Sequence, residues 1–183
     1  DCGAQTILVG GDENLAEVFY WGKLLPEAEN LKAIWDITRL DYSGGVLDGV
    51  PALSICPEVS KTFTGHPGMR IRGASGKRLY PSFKLTDVKF SDTSLLLEYQ
   101  DRELGLTYKA NFLAHKETSV FELSASLAAD TDIFVDWFAA PVLPATQAAK
   151  KMIDFSGHWC REFQEQETDW SIGARLRNNQ TGR

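Results

Sequence analysis

The sequence contains little cysteine: Cys2, Cys56 and Cys160 are the three in 183 residues. A disulfide framework normally has an even number of cysteines in a shorter chain, and a structural zinc site has closely spaced pairs. Neither is predicted here, and no metal ion or other cofactor is expected. Widely spaced thiols favour a reducing compartment, so we expect a cytoplasmic protein and leave the periplasm and secretion open.

Long apolar runs are also missing. No stretch approaches the roughly 20 apolar residues that a membrane-spanning helix requires. The first residues, Asp1 to Ala4, lack the charged-then-apolar pattern of a secretion signal. We therefore expect no membrane partner.

Basic residues are outnumbered, with 19 Lys and Arg against 25 Asp and Glu and a net charge of −6. The longest basic run is the pair Lys150-Lys151, whereas nucleic-acid phosphates require clustered Lys and Arg. Nucleic acid is therefore not expected as a partner. Neutral sugars remain compatible because hydrogen bonds and ring stacking bind them without a counter-charge.

Alternation with a period of two dominates what is present. Residues 95–99, 104–112 and 121–127 carry apolar side chains at every second position, and short polar stretches separate them. This pattern predicts a meander of antiparallel strands with one solvated face. Another strand, 83–90, changes phase between Leu85 and Val88, which predicts a β-bulge at Thr86-Asp87.

Strands at this spacing, with turn residues between them, predict one all-β domain over residues 1–183, folded as a two-sheet antiparallel β-sandwich. Trp137 and Trp170 are assigned to its core. Helical periodicity is weak, and the best candidate, 145–151, would give two turns at most. Further strands are predicted near residues 6–9, 16–21, 133–140, 152–163 and 171–176.

The region from Asp41 to Gly76 is rich in glycine and proline and has no sustained alternation. Long loops of this kind are uncommon inside compact domains and usually have a function or are disordered. Aromatic and apolar residues within it favour an ordered excursion.

No motif in the chain makes a catalytic site. Asp130, Asp132 and Asp136 are close in sequence, but a glycosidase needs two carboxyl groups about 5–10 Å apart in a pocket. A turn bounded by Asp130 and Asp132, with Asp136 on a solvated strand face, is the favoured interpretation. His158 and Cys160 form only a weak metal signal, for which a structural role is favoured.

The segment from Asp154 to Phe163 alternates aromatic residues with an arginine and a glutamate. Tryptophan offers a large contact area and arginine a rigid fork of donors, so Trp159, Arg161 and Glu162 predict an interface. The alternative is an ordinary strand with Trp159 in the core.

The run Gly157-His158-Trp159-Cys160-Arg161-Glu162-Phe163 resembles a G-x-W-x-R-E stretch of glycoside hydrolase family 36, the bacterial and fungal α-galactosidases. This stretch lies near the end of the family's N-terminal domain. The resemblance covers most of the chain, because other pieces match in the family's order. They are Tyr20-Trp21-Gly22, Gly65-His66-Pro67-Gly68-Met69-Arg70, Leu104-Gly105-Leu106, and Gly182-Arg183 as the start of a G-R-x-S-H segment.

The resemblance implies a galactose mutarotase-like β-supersandwich followed by a (β/α)₈ barrel that holds the nucleophile and the acid/base aspartates. Such a barrel takes about 250 residues and is absent from this chain, so the chain alone is not expected to be active. The expected partners are the C-terminal barrel, α-galactoside sugars bound by the full-length enzyme, and other subunits of a homo-oligomer.

The family also implies loop residues that complete the sugar pocket, often that of a neighbouring subunit. The positional matches are Asp48, Arg70 and Arg72, although the Gly-His-Pro-Gly loop departs from the usual pattern in length and sequence. A carboxylate would accept hydrogen bonds from sugar hydroxyls, and a guanidinium would donate to them. The alternative is that these residues have no role in binding: Asp48 would be a turn residue before Gly49, and Arg70 and Arg72 would be ordinary surface arginines.

Two other functions remain open. A stand-alone carbohydrate-binding module would expose two or more Trp or Tyr side chains as a platform for sugar rings. A purely structural interaction domain would expose a large apolar patch where the barrel docks.

Overall fold

The computed structural model describes residues 1–38, 53–145, 149–171 and 176. The chain divides into two compact units, residues 1–144 and 145–183, and each is described by itself. None of the described helices is long and apolar enough to cross a membrane. The elements are β1 (Gln5–Gly10), β2 (Glu17–Lys23), α1 (Leu31–Thr38), a 3₁₀ turn (Val59–Lys61), β3 (Met69–Gly73), β4 (Arg78–Leu79), β5 (Lys84–Phe90), β6 (Ser94–Asp101), β7 (Leu106–His115), β8 (Val120–Ala129), β9 (Ile133–Phe138), β10 (Lys151–His158) and β11 (Arg161–Asp169).

The four-stranded sheet of the first unit is the predicted meander, with its strands in the order β5-β6-β7-β8. All three pairings are antiparallel, and β6, β7 and β8 pair without a register shift. On β7, Leu106, Tyr108 and Ala110 are buried, whereas the residues between them are partly exposed. The predicted bulge is confirmed, because the register of β5 with β6 shifts between Leu85 and Asp87.

A three-stranded sheet, in the order β4-β3-β9, and the β1-β2 pair complete the first unit. Strand β3 lies in the glycine- and proline-rich region, where the sequence predicted no strand. Although arginine alternates with Met69 and Ile71 in it, the strand was missed because it is only five residues long and lies among glycines and prolines. Its position in the sheet depends on pairing with β9, about 60 residues later in the chain, and such long-range pairing leaves little local pattern.

The core joins the inner faces of these sheets. Ile71 of the three-stranded sheet and Tyr99 and Tyr108 of the four-stranded sheet belong to one buried cluster. The ring of Tyr108 lies 5.6 Å from that of Phe83 and 6.1 Å from that of Phe138. Two layers of extended chain therefore cover one another, which confirms the all-β sandwich.

The structure places a helix elsewhere than the predicted segment 145–151, of which residues 146–148 lie outside the described residues. The helix spans Leu31–Thr38, whereas the described residues among 145–151 are non-helical up to the start of β10. Asn30 caps the helix, since its side-chain oxygen accepts a hydrogen bond from the Ala33 amide at 3.1 Å. Trp35 packs edge-on against Phe19 of β2 at 5.0 Å. Leu31, Ile34 and Trp35 also have the i, i+3, i+4 spacing of an amphipathic helix, so the segment carries a helical periodicity that the prediction of a helix at 145–151 overlooked.

The predicted single strand over 152–163 is instead a hairpin of β10 and β11 in the second unit. Alternation continues through a tight turn, so the pattern alone did not reveal where the chain reverses. The predicted strand at 171–176 lies mostly outside the described residues. Trp137 and Trp170 are each 41% exposed, so their assignment to the core was wrong.

Candidate functional site: the outer face of the three-stranded sheet

Arg70 and Arg72 lie on the same face of β3, pointing away from the core. Met69 and Ile71 alternate with them and are buried. Because side chains of a strand point alternately to its two faces, burial of one set turns both arginines to the outer face.

A β-bulge in β9 brings aromatic residues to the same outer face. Arg70 pairs with Trp137 and Arg72 with Phe134, and the register shifts between Arg70 and Ile71. Residues that pair directly lie on the same side of a sheet, and the extra residue in the bulge is Asp136. Phe134 and Trp137 are three apart and would face opposite ways on a regular strand. The bulge is therefore why the core assignment of Trp137 failed.

Arg72 and Asp136 form a two-pronged ion pair across β3 and β9. Nε of Arg72 donates to Oδ2 of Asp136 at 2.8 Å, and Nη2 donates to Oδ1 at 2.7 Å. The hydrogen bond from Arg72 lowers the pKa of Asp136, and the hydrogen bond to Asp136 raises the pKa of Arg72. The guanidinium also lies 5.4 Å from the ring centre of Phe134. Arg72 is thus held in place by its neighbours.

Arg70 differs from Arg72 in this respect. It is exposed, and among the described residues it has no hydrogen-bond or ion-pair partner. Its fork of donors therefore remains available to a ligand. The structure thus separates two arginines that the sequence could not rank.

Trp137 is fixed by the Gly-His-Pro-Gly segment. Its Nε1 donates to the carbonyl oxygen of Pro67 at 3.1 Å, and the His66 ring meets it edge-on at 4.9 Å. Gly68 allows this segment to approach Cys56, because a Cβ on Gly68 would lie 2.6 Å from the Cys56 sulfur and 2.8 Å from its Cα. The sequence indicated an ordered excursion here but did not indicate that it anchors a tryptophan.

A cavity of about 430 Å³ lies beside β3, where β4 gives way to Tyr80 and Pro81. Glu58 lines it and is buried, with Oε1 accepting a hydrogen bond from the Phe83 amide at 2.7 Å. Burial raises the pKa of Glu58 to about 6. Burial also raises the pKa of the lining Cys56 to about 12, so this thiol stays protonated and is a poor nucleophile.

The other carboxylates lie as the sequence predicted. Asp130 and Asp132 are in the turn between β8 and β9, and Asp136 is on the exposed face. Within the described parts of the chain, no three His, Cys, Asp or Glu side chains are grouped as metal ligands would be. Asp48, the predicted carboxylate of the sugar pocket, lies outside the described residues.

The hairpin of the second unit explains the residue types of the G-x-W-x-R-E run. His158 pairs with Arg161, so Trp159 and Cys160 form the turn, and Cys160 has a φ of 65°. A Cβ on Gly157 would lie 2.4 Å from the Arg161 carbonyl oxygen, which leaves no room for a side chain. The Glu162 carboxylate accepts a hydrogen bond from the Cys160 amide at 2.9 Å. Gly157 and Glu162 therefore shape the turn.

The same turn presents Trp159 to solvent. Its side chain is 72% exposed, so the alternative that placed Trp159 in the core was wrong. Phe155 and Phe163 are also exposed. The hairpin that carries Arg161 thus also carries three exposed aromatic rings.

Comparisons with known proteins identify the family and the fold. The family model described as the glycosyl hydrolase family 36 N-terminal domain matches residues 14–183. No curated protein matches.

Solved structures with a similar fold include the α-galactosidase AgaA of Geobacillus stearothermophilus, in a substituted form in complex with raffinose. Its TM-score is 0.75 at 14% identity, over 94% of this chain and 28% of that chain. The α-galactosidase of Lactobacillus brevis has a TM-score of 0.71 at 15% identity, over 94% and 27%. AgaB of Geobacillus stearothermophilus has a TM-score of 0.70 at 13% identity, over 94% and 27%.

This chain spans little more than a quarter of each of those proteins. The likeness in structure shows the fold, and the family model shows the membership. The chain belongs to the N-terminal domain family of glycosyl hydrolase family 36.

Proposed function

We propose that this chain is the non-catalytic N-terminal domain of an α-galactosidase-like enzyme, that it supports the catalytic barrel and the oligomer, and that it contributes residues to the sugar pocket. The family match over residues 14–183 carries the proposal. The chemistry of bond cleavage belongs to the barrel, and the domain acts by shape and by hydrogen bonding.

The outer face supports the role in the sugar pocket. A sugar ring presents an apolar face to an aromatic side chain and hydroxyl groups to donors and acceptors. Trp137 and Arg70 pair across β9 and β3, so an aromatic ring lies beside a fork of uncommitted donors. In this proposal Arg70 contacts the sugar directly, Asp48 accepts hydrogen bonds from its hydroxyls, and Arg72 lies beside them with its guanidinium occupied by Asp136.

The hairpin supports the role as an interface. A two-stranded hairpin is marginally stable alone in water, and this one exposes the aromatic rings of Phe155, Trp159 and Phe163. Tryptophan and arginine dominate the binding energy of protein interfaces. Trp159 and Arg161 would therefore contact the barrel or a neighbouring subunit, while Glu162 keeps the turn in shape.

The experiment compares this chain with a longer protein in which the barrel follows Arg183. On an aryl α-galactoside, the chain alone should give no turnover and the longer protein should be active. Arg70→Gln should lower kcat/KM by about 100-fold, because a charged hydrogen bond to substrate is worth about 2–3 kcal/mol. Arg102→Gln, an exposed arginine on the turn between β6 and β7, is the matched control.

Two results would contradict the proposal. Turnover by the pure domain would reject its non-catalytic role. An unchanged kcat/KM in Arg70→Gln would remove Arg70 from the sugar pocket and leave the interface role standing.

One observation favours a second candidate, a stand-alone carbohydrate-binding module. Trp137 is partly exposed, and a hydrogen bond to Pro67 holds its ring, as a stacking platform requires. Calorimetry of the isolated chain with galactose and raffinose separates the two. A pocket-completing domain should bind either sugar very weakly, whereas a binding module should reach a Kd of about 1 mM or below.

A further inference from the structure

The cavity beside β3 has the dimensions of a ligand site. Its volume of about 430 Å³ falls within the range of roughly 300–1,000 Å³ typical of small-molecule pockets. Much of its wall is apolar, and the exposed part of that wall includes Val59 and Tyr80, the latter at the point where β4 ends. A ring-sized organic molecule would find an apolar surface there.

Two arginines line the same cavity without a committed partner. Arg78 pairs with Arg72 across β4 and β3, so Arg70 and Arg78 are diagonal neighbours on one face, about 7 Å apart at the backbone. Both are exposed, and neither has a hydrogen bond or an ion pair within the described residues. Their two guanidinium groups can converge on one anionic group.

The carboxylates of the cavity are already engaged. Asp136 is held by both prongs of Arg72. Glu58 accepts the Phe83 amide and has its own counter-charges in Lys61 and Lys84, both of which lower its pKa, while Asp101 raises it. Asp136 also feels the positive charge of Arg78, which contributes to its lowered pKa, but within the described residues Arg78 makes no hydrogen bond or ion pair with it. The hydrogen-bond donors of Arg70 and Arg78 therefore remain unused, in a chain whose net charge is −6.

We propose that this cavity binds a small organic anion, namely a ring that carries a carboxylate or a phosphate. Arg70 and Arg78 donate hydrogen bonds to the anionic group, and the apolar wall contacts the ring. The site goes beyond the proposed role in the α-galactoside pocket and does not depend on it. Neutral sugars offer no group for the charge of Arg78 to pair with.

The test uses the 183-residue chain and three probes that share one ring: galacturonate, galactose 6-phosphate and galactose. Binding is followed by amide chemical shifts and by calorimetry. Galacturonate or galactose 6-phosphate should bind with a Kd of about 1 mM, and galactose should bind at least about tenfold more weakly. The perturbed amides should cluster at residues 58–59, 69–71, 78–80 and 82–83, and the affinity should fall with added salt.

Arg78→Gln is the decisive variant, because Arg78 has no part in the proposed sugar pocket. It should weaken the anion by about tenfold and leave the melting temperature unchanged, whereas Arg102→Gln should change the affinity by less than about twofold. The preferred anion distinguishes a carboxylate ligand from a phosphate ligand.

Three outcomes would overturn the proposal: equal binding of galactose and the two anions, no perturbation at the cavity by any probe, or equal losses in Arg78→Gln and Arg102→Gln. Equal losses would mean that general surface charge, rather than the site, attracts the anion. None of these results bears on the activity of the longer protein, so the two proposals fail separately.

Discussion

The four-stranded and the three-stranded sheets of the first unit both alternate buried and exposed side chains, but they differ in regularity. The meander of β6, β7 and β8 is regular, and its inward residues Tyr99 and Tyr108 are fully buried. The three-stranded sheet contains a two-residue strand and a bulge, and Gly68, directly before β3, lies close to the backbone of Cys56. Regular pairing gives burial, while the irregular sheet re-aims side chains such as Trp137 and Asp136 toward solvent. The two sheets thus differ in how regularly their side chains are buried, and substitutions in them should have different consequences.

The largest effect is expected in the regular sheet. Tyr108→Ala should lower the free energy of unfolding by about 3–5 kcal/mol, because it leaves a large cavity in the core. Tyr108→Phe is the matched control. The Tyr108 hydroxyl is buried and has no hydrogen-bond partner among the described residues, so its removal should be neutral or stabilising. Chemical denaturation checks both variants, and a large loss in Tyr108→Phe would show that the hydroxyl is bonded.

The next effect is expected in the irregular sheet. Gly68→Ala should cost about 2 kcal/mol or more, because its Cβ would overlap the Cys56 backbone. Gly73→Ala, at the end of β3, would meet only the Leu79 side chain at ordinary contact distances and should change stability by less than about 0.5 kcal/mol. Thermal denaturation compares the two. Tryptophan fluorescence should change in Gly68→Ala alone, since that segment holds Trp137.

A smaller effect should depend on pH. The pKa of Glu58 is raised from 4.5 to about 6 in the folded state, so the folded state binds the proton more tightly than the unfolded state does. The contribution of Glu58 to stability therefore falls as pH rises from about 4.5 through 6, and the penalty is complete above that range. Glu58→Gln keeps an acceptor for the Phe83 amide and should be about 1 kcal/mol more stable than the parent at pH 7.5.

The difference between Glu58→Gln and the parent should vanish near pH 4.5, as measured by urea denaturation at both pH values. Glu117→Gln, on an exposed turn, serves as the control and should show no such pH dependence. A constant difference for Glu58→Gln at all pH values would mean that the carboxyl is not shifted.

The smallest effect concerns the surface ion pair. Asp136→Asn removes the charge that Arg72 holds, and exposed pairs contribute little to stability because water and salt screen them. The melting temperature should fall only slightly. The stability that the ion pair contributes should be fully present at pH values above the ordinary pKa of an aspartate. It should be lost as the pH falls through the lowered pKa of Asp136. A large destabilisation would mean that the bulge itself depends on the pair.

The sequence predicted the meander and the bulge at Thr86-Asp87 because both leave a local trace, an alternation and a change in its phase. It did not predict the bulge at Asp136. That bulge is set where β9 pairs with β3, a strand inside a region without alternation. The hairpin turn at Trp159-Cys160 was missed because it lies inside an unbroken alternation. Helix α1 was missed although Leu31, Ile34 and Trp35 have helical spacing, because that pattern covers only eight residues.

The candidate site was predicted in part. The sequence named Arg70 and Arg72 but could not tell the tethered arginine from the available one, because that difference depends on Asp136 in another strand. Arg78, Tyr80 and Glu58 were not singled out, since nothing in their neighbourhood of the chain marks them. Their convergence on one cavity arises where β4 ends beside β3.

The sequence by itself determined the class of fold, because period-two alternation commits each segment to one buried and one exposed face wherever the strands finally pair. Only the tertiary structure decided which exposed residues meet. Register and bulges are set by strands that are distant along the chain, and a shift of one residue turns a side chain from the core to the solvent. Such a shift in β9 brings Trp137 to the outer face, beside Arg70.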